Sequence, residues 1–376
     1  MLLSREHLEL RDGLRHFLES TSPMTEVRRL MESPLGYAPH VWTRMARELG
    51  LQGLAIPENY GGLGFGPTEQ VVVGEELGRS LLCSPYFSSA VLAACALLSA
   101  DDEAMRAELL PKIADGSKIV TLAVPEDDGD WRAGHARTRA ARAVAGFVLT
   151  GRKSYVPDGH VADILLVTAH ADGGYSLFAV DADAPGLARR AYPAIDPTRR
   201  QVAVELQDAP ARLVGEIGAA AEVIDHALWR ALPALAAEQV GGAQRCLDMS
   251  VEYAKLRHQF GRPIGNFQAI SHKCADMRIE VESARRTAYY AALSAAKDPD
   301  GLPLTASLAK ICCSEVFCQV AAENIQIHGA TGFTGGHEAH LHYRRAKWAE
   351  MLLGPPSSYQ EIAAAHLTGP DRFPSW

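Results

Sequence analysis

The 376-residue sequence contains no C-x-x-C pair. Its seven cysteines are scattered, and the adjacent Cys312 and Cys313 suit neither an ordinary disulfide nor a zinc site. This usage reads as reduced, partly buried thiols in a cytoplasmic protein. A long basic run is also missing. With a formal net charge of −8, nucleic acid is excluded as the main partner. No apolar stretch reads as the roughly 18–20 residues that a spanning helix needs, so no membrane span is expected. The opening MLLSREHLELRDGLRHFLES is an amphipathic helix pattern without the apolar core and cleavage site of a signal peptide. The glycine-rich stretch 61–66 has neither the G-x-x-x-x-G-K-[ST] nor the G-x-G-x-x-G spacing of a phosphate loop and reads as a structural turn. There is no internal repeat and no low-complexity tract.

What is present is a chain of 47% hydrophobic composition, long enough to bury a large core and to divide into two or three domains. Residues 1–118 show helical patterns at 4–20, 39–49, 67–80, 86–99 and 102–115. Pro23, Pro34, Pro39, Pro57, Pro85 and Gly116 punctuate them. Over 119–212 the pattern becomes β-rich, with runs at 119–124, 147–150, 164–168, 176–180 and 202–206. That spacing predicts a small antiparallel barrel or sandwich, too short for a doubly wound nucleotide-binding sheet. Over 213–376 the chain is helical again, at 217–255, 266–297, 304–328 and 340–366, with 369–376 as a loose tail. The class is α+β, in the order α, β, α.

The chain is organised around the stretch YAKLRHQFGRPIGNFQAISHKCADM, residues 253–277. Upstream, Leu228, Leu232, Leu235, Gln239, Ala243, Leu247, Val251 and Ala254 recur at three- and four-residue steps. Downstream, Phe267, Ile270, Cys274, Met277, Val281, Ala284 and Ala288 do the same. Each set lies on one face of a helix. Gly261, Pro263 and Gly265 punctuate the join, which places Arg257, Gln259 and Phe260 at the corner of a helix–turn–helix.

This stretch resembles the signature of the FAD-dependent acyl-CoA dehydrogenases. Two further stretches agree in order and spacing: QIHGATGFT from Gln326, followed by RRAK from Arg344, and PENYGGLG from Pro57. The resemblance implies a helical amino-terminal domain, a central β domain and a carboxy-terminal four-helix bundle. It also implies FAD as cofactor, an acyl-CoA substrate, an electron-transfer acceptor protein, and a homotetramer or a pairing with a homologous subunit (α2β2). In that family the ADP half of each FAD crosses a subunit interface. The residues that reach across correspond to Arg257, Gln259, Phe260, Gln326, Gly329 and Ala330. A guanidinium suits paired, charge-assisted bonds to pyrophosphate, and glycines at 329 and 332 let a backbone approach phosphate. The bland alternative is that Arg257 only caps a helix end against its dipole.

Other positions depart from the family pattern. Dehydrogenation between Cα and Cβ of a thioester needs a carboxylate base on one face and a flavin on the other. The T-E-P-x-x-G-S-D run that holds the flavin ring corresponds to Val124-Pro-Glu-Asp-Asp-Gly-Asp-Trp, and W-I-T to Tyr155-Val156-Pro157. Proline has no N–H or hydroxyl to donate. The Y-E-G-T run that carries the base in many members falls on Leu352, Leu353, Gly354 and Pro355. The alternative base position falls on Ala231 and Leu232. Glu238, two helical turns past Ala231 and about 10 Å along the axis, and Glu350 are the stand-ins.

The pattern resembles the base-lacking subunits of heteromeric actinobacterial steroid acyl-CoA dehydrogenases. The expectation is a subunit that completes the FAD site of a partner. The alternatives are a self-sufficient homo-oligomeric dehydrogenase with a relocated base, and a non-redox acyl-CoA-binding protein of the same fold. His337, Glu338, His340 and His342 cluster without the i, i+4 spacing of a helical zinc site, and a structural or interface role is expected. His272 is expected in the core and His258 at the surface.

Overall fold

The computed structural model describes residues 3–132, 136–144 and 146–368. The helices of the first part are α1 (Arg5–Thr21), α2 (Met24–Glu32), α3 (Pro39–Leu49), α4 (Pro67–Arg79), α5 (Ala94–Ser99) and α6 (Glu103–Ala114). Then come β1 (Val120–Ala123), β2 (Arg139–Ala143), β3 (Gly146–Pro157), β4 (Ile164–Ala171), β5 (Gly174–Asp181), β6 (Leu187–Ala191) and β7 (Gln201–Val214). The last part is α7 (Ala220–Leu256), β8 (His258–Gln259), β9 (Arg262–Pro263), α8 (Gln268–Lys297), α9 (Leu302–His328), α10 (Ala330–Phe333), α11 (Ala339–Met351) and α12 (Pro356–Thr368).

Sequence patterning passed over α2, β2 and β6. The two strands are short runs of Arg and Ala, mostly exposed, and carry none of the β-branched signal. The pattern expected as one helix over 340–366 is two, α11 and α12, parted by a turn at 352–355. The tail expected over 369–376 lies outside the described residues.

Contacts gather the chain into two compact units. One holds residues 29–66 and 83–231; the other holds α1, the start of α2, α4 and the chain from Leu232 onward. This division and the sequence-order division into 1–118, 119–212 and 213–376 cut the chain differently. The helices of the first segment are shared between the units, and one cut falls inside α7, after Ala231.

In the first unit the pairings β4–β2–β3–β7–β5–β4 close on themselves, with β6 added to β7 and β1 to β4. The expected barrel is therefore present, but it is not purely antiparallel. β1 runs parallel to β4, from Val120↔Ile164 to Ala123↔Val167, and β2 meets β4 in parallel at Arg139↔His170. The β2–β3 hairpin lies between β1 and β4 in sequence, a connection long enough for a crossover. Leu149, Val156, Leu165, Val167, Phe178, Val180, Val202 and Val204 fill the interior. They follow the two-residue alternation of half-buried strands on β3 and β7.

In the second unit, α8, α11 and α12 pack on α9. The apolar faces read from sequence are the faces that turn inward: Leu232, Leu235, Gln239, Ala243, Leu247 and Ala254 on α7, and Met277, Val281, Ala284 and Ala288 on α8, are buried. Two polar pairs pin α7 to α9. Gln239 Nε2 donates to Ser314 Oγ at 2.9 Å, and Ser250 Oγ donates to Asn324 Oδ1 at 2.9 Å. Register is fixed where buried polar groups must find each other. α4 crosses α7 so closely that a Cβ at Gly78 would lie 1.9 Å from the Glu238 carbonyl, and one at Gly241 1.8 Å from that of Glu75. Among the described residues α9 is long and apolar enough to cross a membrane, contrary to the sequence reading. More than half of its apolar window is buried, and Lys310, Ser314 and Asn324 carry its polar atoms into the protein, as a core helix does.

Candidate functional site

α7 ends at Leu256, and the Arg257 N–H still donates to the Tyr253 carbonyl at 2.8 Å. The chain then reverses through the β8–β9 hairpin, where His258 pairs with Pro263 and Gln259 with Arg262. Phe260 (φ 52°) and Gly261 (φ 79°) form its tip. Two left-handed residues in succession make the primed turn that matches strand twist. Glycine adopts that conformation freely, whereas phenylalanine there is strained by about 1–2 kcal/mol. The strained ring is not paid for by burial, since Phe260 is 92% exposed. It meets the edge of Phe267, at 6.1 Å between centroids, and Phe267 is covered by the Arg262 guanidinium at 4.2 Å. Arg257 and Gln259 are exposed, and among the described residues neither side chain makes a hydrogen bond or ion pair. Arg257 therefore does not cap α7 with its guanidinium.

Gln326, Gly329 and Ala330 lie at the end of α9 and the start of α10, all exposed. Gly329 has φ 61° and ψ −141°, a region essentially confined to glycine, and a Cβ built there would meet nothing within 4 Å. Behind it, the buried His328 ring stacks on Tyr253 of the last turn of α7, with centroids 4.3 Å apart. Its Nδ1 is 2.8 Å from the Asn324 carbonyl oxygen. This stack, which sequence reasoning missed, brings the hairpin and the α10 loop side by side. Its signal was available: Tyr253 and His328 are each the last aromatic of a long helix, beside the two matching motifs.

The stretch at 124–131 is organised differently. Glu126 is surrounded by donors. The N–H of Arg137 reaches it at 2.9 Å, the N–H and Oγ1 of Thr138 at 3.0 and 2.8 Å, and Lys153 Nζ at 3.1 Å. Lys153 is fully buried and also donates to the Val124 carbonyl at 3.0 Å. Burial works to raise the Glu126 carboxyl, but those donors and the lysine charge together hold it below its ordinary value. Burial lowers Lys153 to about 8, against the pull of Glu126. Asp127 accepts from Ser154 Oγ at 2.8 Å. Tyr155 is left-handed (φ 56°) and stacks on Tyr192 at 5.2 Å. Pro157 is buried, and its carbonyl accepts the Thr121 hydroxyl at 2.6 Å.

No acid stands at either expected base position. Ala231 is buried in α7. Leu353 is 2% exposed and left-handed (φ 63°) in the turn between α11 and α12. Glu238 is buried and bound to the buried Arg345, Oε1 to Nη1, at 2.6 Å. Glu350, within α11, is bound to Lys347 at 2.6 Å. Both stand-ins are committed to cations of their own unit.

His337 Nδ1 accepts from the Ala339 N–H at 3.2 Å, and the His340 ring approaches the His337 carbonyl at 2.6 Å. His342 is fully buried; burial first, then Arg245, Arg345 and Arg79, keep it well below its ordinary value. Among the described residues no group of three or more His, Cys, Asp or Glu could hold a metal ion. His258 is exposed, as expected. His272 is exposed too, which corrects the expectation of a core residue. It occupies the solvent side of α8, opposite the stripe that holds Met277 and Val281.

A small β barrel between two helical regions of sequence is the fold of the flavin-dependent acyl-thioester dehydrogenases. The comparisons agree along the chain. The family model described as Acyl-CoA dehydrogenase, N-terminal domain, matches residues 4–117, and Acyl-CoA dehydrogenase, C-terminal domain, matches residues 211–368. The acyl-CoA dehydrogenase IpdE2 of Mycolicibacterium smegmatis is 33% identical over 354 residues, covering 94% of this chain and 96% of the relative. Among solved structures, the ChsE4-ChsE5 complex from Mycobacterium tuberculosis superposes with a TM-score of 0.88 at 29% identity, covering 100% of this chain and 99% of the other. A variant of the Tcur3481-Tcur3483 steroid ACAD gives a TM-score of 0.85 at 31% identity, covering 96% of each chain. The chain belongs to the acyl-CoA dehydrogenase family, oxidoreductases that use FAD.

The two regions fit FAD unequally. The hairpin and the α10 loop are compatible with its ADP half: exposed side-chain donors with no partner among the described residues, and a glycine whose Cβ direction is open. The segments at 124–131 and 155–157 fit the ring poorly: Glu126, Asp127 and the Pro157 carbonyl are bonded inside the barrel unit, and Pro157 has no N–H to donate. FAD supplies the hydride acceptor in this family.

Proposed function

We propose that this chain is a base-lacking, cytoplasmic subunit of a heteromeric FAD-dependent acyl-CoA dehydrogenase. Arg257, Gln259, Phe260, Gln326, Gly329 and Ala330 hold the ADP half of an FAD whose ring and catalytic carboxylate lie in a homologous partner chain, in an α2β2 assembly. Arg257 binds pyrophosphate oxygens, Gln259 and Gln326 offer amides, Phe260 gives an apolar face, and the backbone at 329–330 approaches closely. The complex oxidises an acyl-CoA of steroid-derived type and passes electrons to an acceptor flavoprotein.

One observation carries this reading: a leucine and an alanine occupy the base positions, while both nearby acids are bound to cations. The likeness to two-component structures, ChsE4-ChsE5 and Tcur3481-Tcur3483, supports it. The seven free thiols are compatible with a reducing compartment.

Flavin stoichiometry tests it. Purified alone, the chain is expected to hold little FAD and to leave acyl-CoA unoxidised. Co-expressed with a homologous subunit, it is expected to form a complex with one FAD for each unlike pair. Stoichiometric FAD and unaided turnover by the homo-oligomer overturn the proposal. If that turnover vanishes in Glu350→Gln, the relocated-base reading takes its place.

A further inference from the structure

Lys310 sits in the middle of α9 with no exposed surface. Among the described residues no carboxylate is bonded to it. Its Nζ lies 2.7 Å from the carbonyl oxygen of Ala349 and 2.8 Å from that of Leu352, at the end of α11. Those carbonyls lead into the turn at 352–354. There Leu353 is left-handed and buried, the Gly354 N–H donates to the Met351 carbonyl at 3.1 Å, and the Tyr359 hydroxyl of α12 donates to the Leu353 carbonyl at 2.6 Å. A buried left-handed leucine persists only where its surroundings over-determine it. Lys310 on one side and Tyr359 on the other supply that constraint.

Charge and donor count together distinguish the two protonation states: a neutral amine leaves only a lone pair unmatched, whereas an ammonium leaves a full charge without a bonded carboxylate among the described residues. A neutral amine has two N–H groups, and the site offers two carbonyls. An ammonium has three, and the third has no acceptor among the described residues. A buried charge with an unmatched donor destabilises its surroundings. We propose that Lys310 is a proton-sensitive latch: as a neutral amine it locks the 352–354 turn and the α12 helix that follows, and protonation loosens both. This does not depend on the assignment of the FAD clamp.

The surroundings agree. Burial lowers Lys310 to about 7, with Glu350, Cys318 and Cys313 opposing that shift. These are the titratable groups that act on it: Glu350 from α11, the two thiols from α9 itself. Glu350 is drawn off by Lys347, and burial raises both thiols above their ordinary value, which keeps them neutral. From α12 the nearby group is the Tyr359 hydroxyl, already donating to Leu353.

The sign follows from linkage. Lysine in the opened chain keeps its ordinary value near 10.4, so between pH 7 and that value the open state binds more protons. Closing of the turn is therefore favoured as pH rises, by up to about tenfold per pH unit, and is flat below pH 7. The direct experiment is a titration of the full chain labelled with 13Cε-lysine, with Lys310 assigned by difference against Lys310→Met. A midpoint near 7 is expected; a midpoint near 10.4 overturns the latch. Hydrogen exchange at the Leu352 and Gly354 amides, corrected for intrinsic rate, is the second readout. Protection in the wild type is expected to rise from pH 7 to 8.5 relative to Lys310→Met. Parallel profiles in the two proteins overturn the proposal. If Lys310→Met does not fold, Lys310→Gln serves as the reference for both readouts.

Discussion

The β8–β9 hairpin and the segment at 124–131 are both dense in polar groups, and they spend those groups in opposite ways. At the hairpin, Arg257 and Gln259 face outward with no partner among the described residues, and Phe260 holds a strained backbone in the open. At 124–131, the Glu126 carboxylate is saturated and Lys153 is sealed behind it. Free donors at a strained, exposed tip are what a surface keeps for something outside itself. Saturated donors in a core hold the chain to itself. The first region leaves polar side chains exposed and the second ties them into the fold, which is the contrast the proposed FAD clamp rests on.

The sharpest way to break this contrast is to exchange the expected penalties. Glu126→Ala leaves Lys153 buried without its counter-charge and is expected to destabilise the chain by about 3 kcal/mol. The double variant with Lys153→Met is expected to recover much of that, because the unpaired charge is then gone. Urea denaturation of the isolated chain measures both. Arg257→Ala in the same assay is expected to stay within about 0.5 kcal/mol of wild type. Equal effects at the two sites would remove the contrast.

Acid should sharpen it further. Glu126 is held below the ordinary carboxylate value, so its contribution is present above that value and lost as pH falls through the lowered one. The stability difference between wild type and Glu126→Gln is therefore expected to shrink as pH falls below about 4.5. A denaturation series from pH 3 to 7 reads this out. Lys153, lowered to about 8, adds a separate rise in stability on the alkaline side, from pH 8 upward.

At the hairpin the expected loss is in binding instead. A charge-assisted bond to an anion contributes about 1.5–3 kcal/mol, so Arg257→Ala is expected to weaken FAD retention in the assembled complex by roughly tenfold to a hundredfold. Dialysis of the complex against apo buffer, followed by flavin absorbance, measures it. Retention equal to wild type would remove Arg257 from the clamp.

The sequence made the hairpin legible because its parts are local. Glycine, proline and the switch between two helical periods mark the turn, and Arg257, Gln259 and Phe260 fall within four residues. The β domain was legible as a small antiparallel barrel or sandwich, from short β-rich runs, but its parallel β1–β4 pair was not. Pairing between residues more than forty positions apart leaves no local trace. The same holds for the site. Glu126 and Lys153 are twenty-seven positions apart, as are no two members of the hairpin, and their pairing appears only when the segment after β1 lies against β3. Glu238 was open to reading as a base because Arg345 is more than a hundred residues away in sequence. His272 was misread for a subtler reason. Its position in the motif says nothing about which side of α8 it takes, and the apolar stripe through Met277 and Val281 puts it outside.

The smallest expected effect tests what the strain is for. Phe260 sits at the first position of a turn whose preferred pair is Asn-Gly, and its ring gains little from burial. Phe260→Asn should relieve the left-handed backbone at almost no loss of packing, and the isolated chain is expected to become more stable by up to about 1 kcal/mol. If the ring is kept for the cofactor, the same substitution should weaken FAD retention in the complex, so stability and binding move in opposite directions. If the ring only supports the hairpin through Phe267, both should fall together. Thermal denaturation of the chain and flavin retention in the complex separate the two cases.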